Sequence, residues 1–181
     1  MKILVFGEIG QLGQELARRC GDVELEVRGL EEADFTDPAA CVGFVEATDA
    51  DAVINAVAYT AVDKAEEDEA LAEMINATTA GALARAAAAR GLPFVQVSTD
   101  YVFDGSGDQP FAVDAPVGPL GAYGRTKLNG EIAVRAAGGV HAILRTSWVV
   151  SAHGHNFIKT MLRLSETRDA LSVVDDQIGG P

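Results

Sequence analysis

The sequence has few cysteines, no long apolar run and little basic charge, and each shortage excludes a class of protein. Two cysteines are too few for a disulfide framework, so Cys20 and Cys41 are expected to be reduced thiols of a cytoplasmic protein. No apolar stretch approaches the roughly 20 residues of a membrane helix, and Lys2 leads into a strand pattern without a cleavable signal. The net charge of −13 argues against nonspecific nucleic-acid binding, but it does not exclude an anionic small ligand.

The composition is that of one folded domain. Hydrophobic residues make up 48% of the chain, which indicates a packed core and not disorder. A length of 181 residues suffices for one well-buried domain and is short for two. No internal repeat, low-complexity tract or linker interrupts the chain, so we expect a single domain over residues 1–181.

Short apolar runs alternate with helical patterns along the chain. Strands are predicted over residues 3–6, 23–27, 52–56, 94–98, 142–144 and 172–174. Helices are predicted after the first strand and over residues 38–47, 66–90, 123–137 and 156–168. This alternation predicts an α/β fold, a doubly wound, Rossmann-like parallel sheet with helices on both faces.

Three glycines, Gly7, Gly10 and Gly13, separate the first predicted strand from the first helix. A glycine turn lets a ligand approach the backbone closely, and the N-terminus of the following helix favours an anion such as a pyrophosphate. The spacing is G-x-x-G-x-x-G and not the commoner G-x-G-x-x-G. The pattern indicates a dinucleotide site, with an ordinary glycine-rich turn as the alternative.

Small or polar residues also follow the next predicted strands. In a parallel α/β sheet, ligands bind at the carboxyl ends of the strands. Besides Gly7, the residues at these ends are Arg28, Ala58, Tyr59, Ser98 and Thr99. Their positions favour a dinucleotide site more strongly than the glycines do alone.

Tyr123 and Lys127 lie four residues apart at the start of a predicted helix, after the longest nonperiodic segment, residues 99–122. This spacing places both side chains on one helix face. A cation beside a phenol favours the phenolate, so we expect Lys127 to lower the pKa of Tyr123 toward the range of an acid/base catalyst. Because Y-x-x-x-K is common by chance, a solvent-facing pair is the alternative.

The glycine turn with Tyr123 and Lys127 resembles the extended short-chain dehydrogenase/reductase superfamily. Longer stretches are similar to the dTDP-4-dehydrorhamnose reductases within it: VINAVAYTAVDKAE, VQVSTDYVFDG, AYGRTKLNGE, LRTSWVVSAHGHNFIKTML and VVDDQIGGP. The resemblance covers essentially the whole chain. It implies reduction of the C4 ketone of a dTDP-4-keto-6-deoxy sugar by NADPH or NADH.

The resemblance also implies roles for individual residues. Tyr123 corresponds to the proton donor, Lys127 to the residue that binds the nicotinamide ribose, and Thr99 to the hydroxyl that polarises the ketone. The cofactor site implied besides Tyr123 and Lys127 consists of Gly7, Gly10, Gln11, Leu12, Gly13, Asp34, Phe35, Ala56, Ala58 and Tyr59. The deoxysugar pocket implied consists of Val62, Asp100, Tyr101 and Trp148, with core packing as the alternative for Trp148.

Several charged or metal-binding residue types need separate interpretation. Arg28 ends the second predicted strand where an NAD-selective enzyme would place a carboxylate, so we expect NADPH to be preferred and NADH also to be used. Glu24 and Glu26 are expected to point elsewhere. The acidic run at residues 66–69 is interpreted as a solvated helix turn, and His153 with His155 is not expected to bind metal.

Relatives continue beyond Pro181 into a smaller substrate-binding part, which is expected to be largely absent here. We therefore expect weak NADP(H) binding, poor or no turnover, and an exposed apolar face that promotes association, a homodimer being one outcome. One alternative is a noncatalytic, NADP-binding regulatory subunit like that of methionine adenosyltransferase, against which Thr99, Tyr123 and Lys127 argue. Another is an NDP-sugar epimerase or dehydratase, but a dehydratase would carry an acidic pair where Asp100 is followed by Tyr101.

Overall fold

Five strands form one parallel sheet in the computed structural model, which describes residues 1–180. They are β1 (Lys2–Phe6), β2 (Glu24–Arg28), β3 (Ala52–Asn55), β4 (Phe94–Thr99) and β5 (His141–Thr146). The order across the sheet is β2-β1-β3-β4-β5. Phe6 pairs in register with Arg28 on one side and Asn55 on the other, so the carboxyl ends of these strands share one edge.

Six α-helices flank the sheet in the described residues. They are α1 (Gln11–Arg19), α2 (Pro38–Ala47), α3 (Glu69–Glu73), α4 (Ala80–Ala89), α5 (Ala122–Ala136) and α6 (Phe157–Ser165). Crossovers between parallel strands are right-handed, so the step from β1 to β2 places α1 on one face. The connections from β2 to β3, from β3 to β4 and from β4 to β5 run in the opposite direction across the sheet. They place α2, α4 and α5 on the other face, where these helices pack together. The predicted doubly wound, Rossmann-like fold is confirmed.

Helix α2 begins where the sequence predicts a helix start. The Asp37 carboxylate accepts hydrogen bonds of 3.1 Å from the backbone N–H groups of Ala39 and Ala40. Pro38 occupies the first helical position, where a missing N–H costs nothing. The cap fixes the start of α2, so Cys41 and Val45 face the core.

The core is formed by the apolar side chains of the strands and of α2, α4 and α5. Leu4, Phe6 and Val53 are completely buried, and burial of such a side chain stabilises the fold by about 1.5–3 kcal/mol. Phe6 contacts Phe35 edge-on, with ring centroids 5.7 Å apart. This packing makes the sheet a rigid base for the residues at its carboxyl edge.

Two predictions of secondary structure were wrong. Residues 172–174 are exposed and form no strand, because a strand needs a hydrogen-bonded neighbour and among the described residues β5 pairs only with β4. The predicted helix over residues 66–90 is divided into a 3₁₀ turn (Lys64–Glu66), α3, a π-helical turn (Met74–Thr79) and α4. An alanine-rich pattern predicts helix but does not indicate where a wider turn is inserted.

Both thiols are free, as predicted from the sequence. Cys41 is buried in α2, and burial raises the pKa of its thiol to about 11. The thiol therefore stays protonated and unreactive near neutral pH.

None of the helices in the described residues is both long enough and apolar enough to cross a membrane.

Candidate functional site

The turn between β1 and α1 has the geometry of a phosphate-binding loop. Gly7 has a φ of +114°, and a Cβ there would lie 3.1 Å from the carbonyl carbon of Ala56. A Cβ on Gly13 would lie 1.7 Å from the carbonyl oxygen of Gly7, so α1 packs on the turn only with glycine at this position. Around Gly10 no atom lies within 4 Å of the Cβ position. The backbone at Gly10 is thus open to a ligand.

Helix α1 begins at this turn without a side-chain cap. Gly10 is the N-cap residue, and the first helical turn contains no acidic residue. The free N–H groups and the positive end of the helix dipole fit a phosphate group. The turn therefore fits the pyrophosphate of a dinucleotide, as the sequence predicts, with Leu12 half-buried just inside the helix.

Gln11 connects the glycine turn to the loop that follows β5. Its Nε2 donates to the carbonyl oxygen of Val149 at 3.4 Å, and its Oε1 accepts a 2.9 Å hydrogen bond from Asn156 Nδ2. One turn further along α1, Glu15 Oε1 accepts from Ser151 Oγ at 2.8 Å. The side chain of Gln11 therefore holds the loop after β5 against the start of α1.

The loop after β5 also carries the two histidines. His153 Nε2 lies 3.9 Å from Glu15 Oε1. In residues 1–180 no group of three or more histidine, cysteine, aspartate or glutamate side chains could hold a metal ion. His153 is therefore a loop residue that contacts α1.

Arg28 lies at the end of β2, beside the glycine turn. Its carbonyl oxygen accepts the Gly7 N–H at 3.0 Å. Its guanidinium donates to Glu26 Oε1 at 2.6 Å and lies 5.1 Å from the centroid of the Phe44 ring. Its Nε is buried and has no hydrogen-bond partner among the described residues. Arg28 is thus in the predicted place, with Glu26 compensating part of its charge.

Asp34 and Phe35 occupy different environments. The exposed Asp34 carboxylate accepts hydrogen bonds of 2.8 Å from the backbone N–H and the hydroxyl of Thr36, and these bonds lower its pKa. Phe35 is buried against Phe6. Only Asp34 therefore offers its side chain to a ligand, while the Phe35 ring is part of the core.

The residues after β3 lie next to the glycine turn. The Ala56 N–H donates to the carbonyl oxygen of Phe6 at 2.9 Å, and Ala58 and Tyr59 follow as half-buried residues. The structure thus brings these three predicted cofactor residues to the same edge as Gly7.

Asn76, in the π-helical turn, holds this segment in place. Its Oδ1 accepts the Tyr59 N–H at 2.8 Å, and its Nδ2 donates to Thr126 Oγ1 at 3.0 Å. Thr126 belongs to α5, the helix that carries Tyr123. A buried amide therefore connects the segment after β3 to α5.

Thr99, Tyr123 and Lys127 lie at the carboxyl end of β4. Thr99 is buried as the last residue of the strand, and its hydroxyl accepts the Tyr101 N–H at 3.2 Å and donates to Asp100 Oδ1 at 3.1 Å. Burial raises the pKa of Tyr123, an effect that a hydrogen bond with Thr99 opposes. The three residues implied by the resemblance are thus brought to one place.

Lys127 is 3% exposed, and its Nζ donates to the carbonyl oxygen of Val97 at 2.7 Å. Burial lowers the pKa of Lys127 to about 8. The predicted lowering of the Tyr123 pKa by Lys127 was wrong for the ligand-free chain: burial of the phenol dominates, and the ammonium binds a backbone carbonyl. The amine is mostly charged at neutral pH but is close to its titration range.

The sequence pattern predicts that Glu66 and Glu69 are solvated. In the structure both carboxylates instead bind residues of α5. Glu66 Oε1 accepts the Ala122 N–H at 2.7 Å, and Glu69 accepts two 2.9 Å hydrogen bonds from Arg125. The N-cap residue, Gly121, has no side chain with which to cap the helix. That glycine was the available signal that a residue distant in sequence caps α5.

The predicted substrate residues adjoin this cluster. The Tyr101 ring contacts Tyr123 edge-on at 5.5 Å between centroids. Asp100 Oδ2 accepts a 2.9 Å hydrogen bond from Ser147 Oγ, beside a depression of about 480 Å³. Val62 lies in the turn after β3, where its carbonyl oxygen accepts the Ala65 N–H at 3.2 Å.

Trp148 has the one positive φ of a non-glycine residue in residues 1–180, +48°. Its ring is 41% exposed and contacts Phe157 edge-on at 5.7 Å. Core packing, the alternative interpretation, is therefore wrong. A left-handed conformation costs about 1–2 kcal/mol in a residue with a Cβ, and such strain is typical of functional sites.

Comparisons with known proteins identify relatives of this chain. The profile of the RmlD substrate binding domain matches residues 1–181. Among curated proteins, the dTDP-4-dehydrorhamnose reductase of Salmonella typhimurium is 46% identical over 186 residues, which cover all of this chain and 62% of that protein. The enzyme of the same name from Burkholderia thailandensis is 46% identical over 182 residues, or 61% of its length.

Solved structures of similar proteins have the same fold. The dTDP-4-dehydrorhamnose reductase of Clostridium acetobutylicum superposes with a TM-score of 0.95 at 44% identity, covering 100% of this chain and 65% of that one. The Bacillus anthracis enzyme, solved in complex with NADP, gives a TM-score of 0.95 at 35% identity over 99% of this chain and 65% of that one. The chain spans less than two thirds of the length of these relatives. The match to the whole sequence, the shared fold and the cluster at the end of β4 show that this chain belongs to the RmlD substrate binding domain family.

Proposed function

We propose that this chain is the cofactor-binding and catalytic part of a dTDP-4-dehydrorhamnose reductase. The reaction is reduction of the C4 ketone of dTDP-4-dehydro-6-deoxy-L-mannose to dTDP-L-rhamnose. The observation that carries the proposal is the convergence of Thr99, Tyr123 and Lys127 beside an open glycine turn. Relatives that bear the name of this enzyme, at 46% identity, support it.

The nicotinamide cofactor, when bound, supplies a hydride to the ketone carbon. Negative charge then develops on the ketone oxygen, and the hydroxyl groups of Thr99 and Tyr123 are the donors that stabilise it. Tyr123 transfers its proton to that oxygen, which completes the alcohol, and the phenolate regains a proton from water. Burial raises the pKa of Tyr123, so the phenol holds the proton that it has to donate.

The cofactor is proposed to be NADPH, with NADH also used. The turn at Gly10 and the start of α1 would hold the pyrophosphate, and Lys127 would hold the nicotinamide ribose. Arg28 would contact the 2′-phosphate, which its unpaired Nε supports. We therefore expect Arg28→Ala to raise the Kd for NADPH more than the Kd for NADH, because NADH lacks this phosphate. Equal increases for both cofactors would refute the preference.

The deoxysugar is proposed to bind at Asp100, Tyr101, Val62 and Trp148. The exposed indole ring offers a flat apolar wall with one hydrogen-bond donor, which suits a 6-deoxy sugar.

A cytoplasmic location is supported by the two free thiols. Assembly as a homodimer stays a prediction, which size-exclusion chromatography with light scattering checks.

The proposed activity is tested by following NADPH oxidation with dTDP-4-dehydro-6-deoxy-L-mannose. The assay should use this chain and a longer form that includes the additional part found in the relatives. We expect turnover in the longer form, and a loss of about 10²-fold or more in kcat for Tyr123→Phe, which lacks the donated proton. Tight NADP binding without turnover in either form would favour a regulatory subunit.

A further inference from the structure

Glu131 is a completely buried carboxylate for which the proposed mechanism has no use. It accepts hydrogen bonds from Ser98 Oγ at 2.7 Å, from Arg145 Nε and Nη2 at 2.8 and 2.7 Å, and from Arg135 Nη2 at 3.1 Å. A buried charge destabilises a fold unless it is paired in this way. Burial acts to raise the pKa of Glu131, but the hydrogen bonds from Arg145 and Ser98 outweigh it and the pKa is lowered. The side chain is therefore a carboxylate at neutral pH.

The Glu131 carboxylate contacts β4 at Ser98, the residue that precedes Thr99. Lys127 Nζ binds the carbonyl oxygen of Val97, and Glu131, one helical turn later, binds the hydroxyl of Ser98. Thr99 is the next residue of the strand. Two successive residues of β4 are thus attached to two successive turns of α5, and the positions of Thr99 and Lys127 depend on each other.

Arg145 extends the network to the loop after β4. Besides its two bonds to Glu131, its Nη1 donates to the carbonyl oxygen of Val113 at 3.1 Å, and its guanidinium lies 4.8 Å from the centroid of the Phe103 ring. The loop of residues 103–113 is therefore connected to α5 through Arg145 and Glu131.

We propose that Glu131 is a positioning residue of the reductase site, whose carboxylate fixes the end of β4 against α5 and balances the charge of the Lys127 ammonium. The inference rests on the proposed function for the role of Lys127. Residues 127 and 131 are i, i+4 neighbours on one helix face. Burial lowers the pKa of Lys127, and the Glu131 charge acts in the opposite direction.

Other charged groups also lie on the elements around Lys127. The Glu131 charge acts to raise the pKa of Lys127, and Glu131 lies one helical turn after Lys127 on α5. The other ionisable groups on α5 and on the elements packed against it include Tyr123, Arg125, Arg135, Asp100, Arg145, Glu66, Glu69, Glu73 and Arg85. Removal of the Glu131 charge should therefore make the Lys127 amine lose its proton at lower pH.

The test is a titration of the Lys127 amine by NMR in the ligand-free chain. We expect a midpoint near pH 8 in the wild type, and a midpoint lower by roughly 1 pH unit in Glu131→Gln. The matched control is Glu73→Gln, which removes a half-buried carboxylate that contacts α5 through Asn129. Its midpoint should equal that of the wild type.

A second variant keeps the test decisive if Glu131→Gln fails to fold because Arg145 loses its partner. Glu131→Gln with Arg145→Met removes both charges together, and its Lys127 midpoint should still be lowered, by less than in Glu131→Gln because loss of the Arg145 cation acts in the opposite direction. An unchanged midpoint in the folded variants would overturn the proposal. Because the titration needs no substrate, a lowered midpoint supports the role of Glu131 even where the longer form shows no reductase activity, the result that would refute the proposed function. In an active form, the alkaline limb of the pH profile of kcat should move by the same amount.

Discussion

The Glu66 carboxylate accepts a 2.7 Å hydrogen bond from the backbone N–H of Ala122, the residue that precedes Tyr123. The two residues come from different elements, and the bond caps a helix whose own N-cap residue is glycine. A cap fixes the first turn of a helix. The position of Tyr123 therefore depends on a side chain from a different element of the chain.

We expect Glu66→Ala to lower the free energy of unfolding by about 1 kcal/mol, the usual cost of a lost cap, and to lower kcat because Tyr123 is held less firmly. Urea denaturation and the NADPH oxidation assay measure the two effects. Glu67→Ala removes an exposed carboxylate from the same turn and serves as the control. Equal stability of the two variants would show that the capping bond does not contribute.

The glycine turn predicts opposite outcomes at two of its positions. Gly13→Ala should strongly destabilise the protein, because its Cβ would lie 1.7 Å from the Gly7 carbonyl oxygen. Gly10→Ala should fold with a stability near that of the wild type, since its Cβ meets open space, but it should bind NADPH more weakly because the methyl group occupies the approach to the backbone. Thermal unfolding and fluorescence titration with NADPH distinguish them. Unchanged NADPH affinity in Gly10→Ala would place the pyrophosphate elsewhere.

Lys127 should make stability depend on pH in the alkaline range. Its pKa is about 8 in the folded chain and near 10.5 when unfolded, so between these values the unfolded chain binds more protons and stability rises with pH. The wild type should therefore gain stability relative to Lys127→Met from pH 8 upward, by at most about 1.4 kcal/mol per pH unit.

Denaturation of both proteins at several pH values checks this prediction. Cys41 has the opposite effect, since its raised pKa makes stability fall above pH 9, but it acts equally in both proteins and cancels in the difference. A difference in stability that does not change between pH 7 and pH 10 would contradict burial of the charged amine.

Trp148 combines an exposed ring with a left-handed backbone, and two substitutions separate these properties. Trp148→Gly and Trp148→Ala both remove the ring and should raise the KM for the sugar nucleotide to a similar extent. Trp148→Gly should be the more stable of the two by about 1 kcal/mol, because alanine keeps the strain that glycine relieves. If alanine proved as stable as glycine, the backbone at this position would not be strained.

Much of the fold follows from local patterns in the sequence. The alternation of apolar runs with helical periodicity gives the five parallel strands, Asp37 with Pro38 marks the start of α2, and the glycine spacing identifies the turn. The spacing of Tyr123 and Lys127 places both on one helix face whatever the surroundings. These features depend on residues close in sequence, which is why they could be predicted.

The remaining features depend on contacts between residues distant in sequence. Glu66 and Ala122 are 56 residues apart, so a charged run that is typical of a solvated helix turn gives no indication of its partner. The raised pKa of Tyr123 has the same origin, since burial depends on how α5 packs on β4. The valines at positions 173 and 174 favour a strand locally, but no neighbouring strand pairs with them in residues 1–180.

The π-helical turn over Met74–Thr79 changes the direction in which the side chains before it point relative to those after it. Successive residues of an α-helix are rotated by about 100° about the helix axis. A one-residue deletion that restored regular geometry would therefore rotate Asn76 relative to Leu83. The Asn76 amide would then no longer face Tyr59 while Leu83 faces the core. With the inserted residue, the amide faces Tyr59 and Thr126 while Leu83 and Ala87 face the apolar interior. Deletion of one residue from this turn should thus move the Tyr59 segment relative to α4, an effect that point mutations in the interior cannot produce.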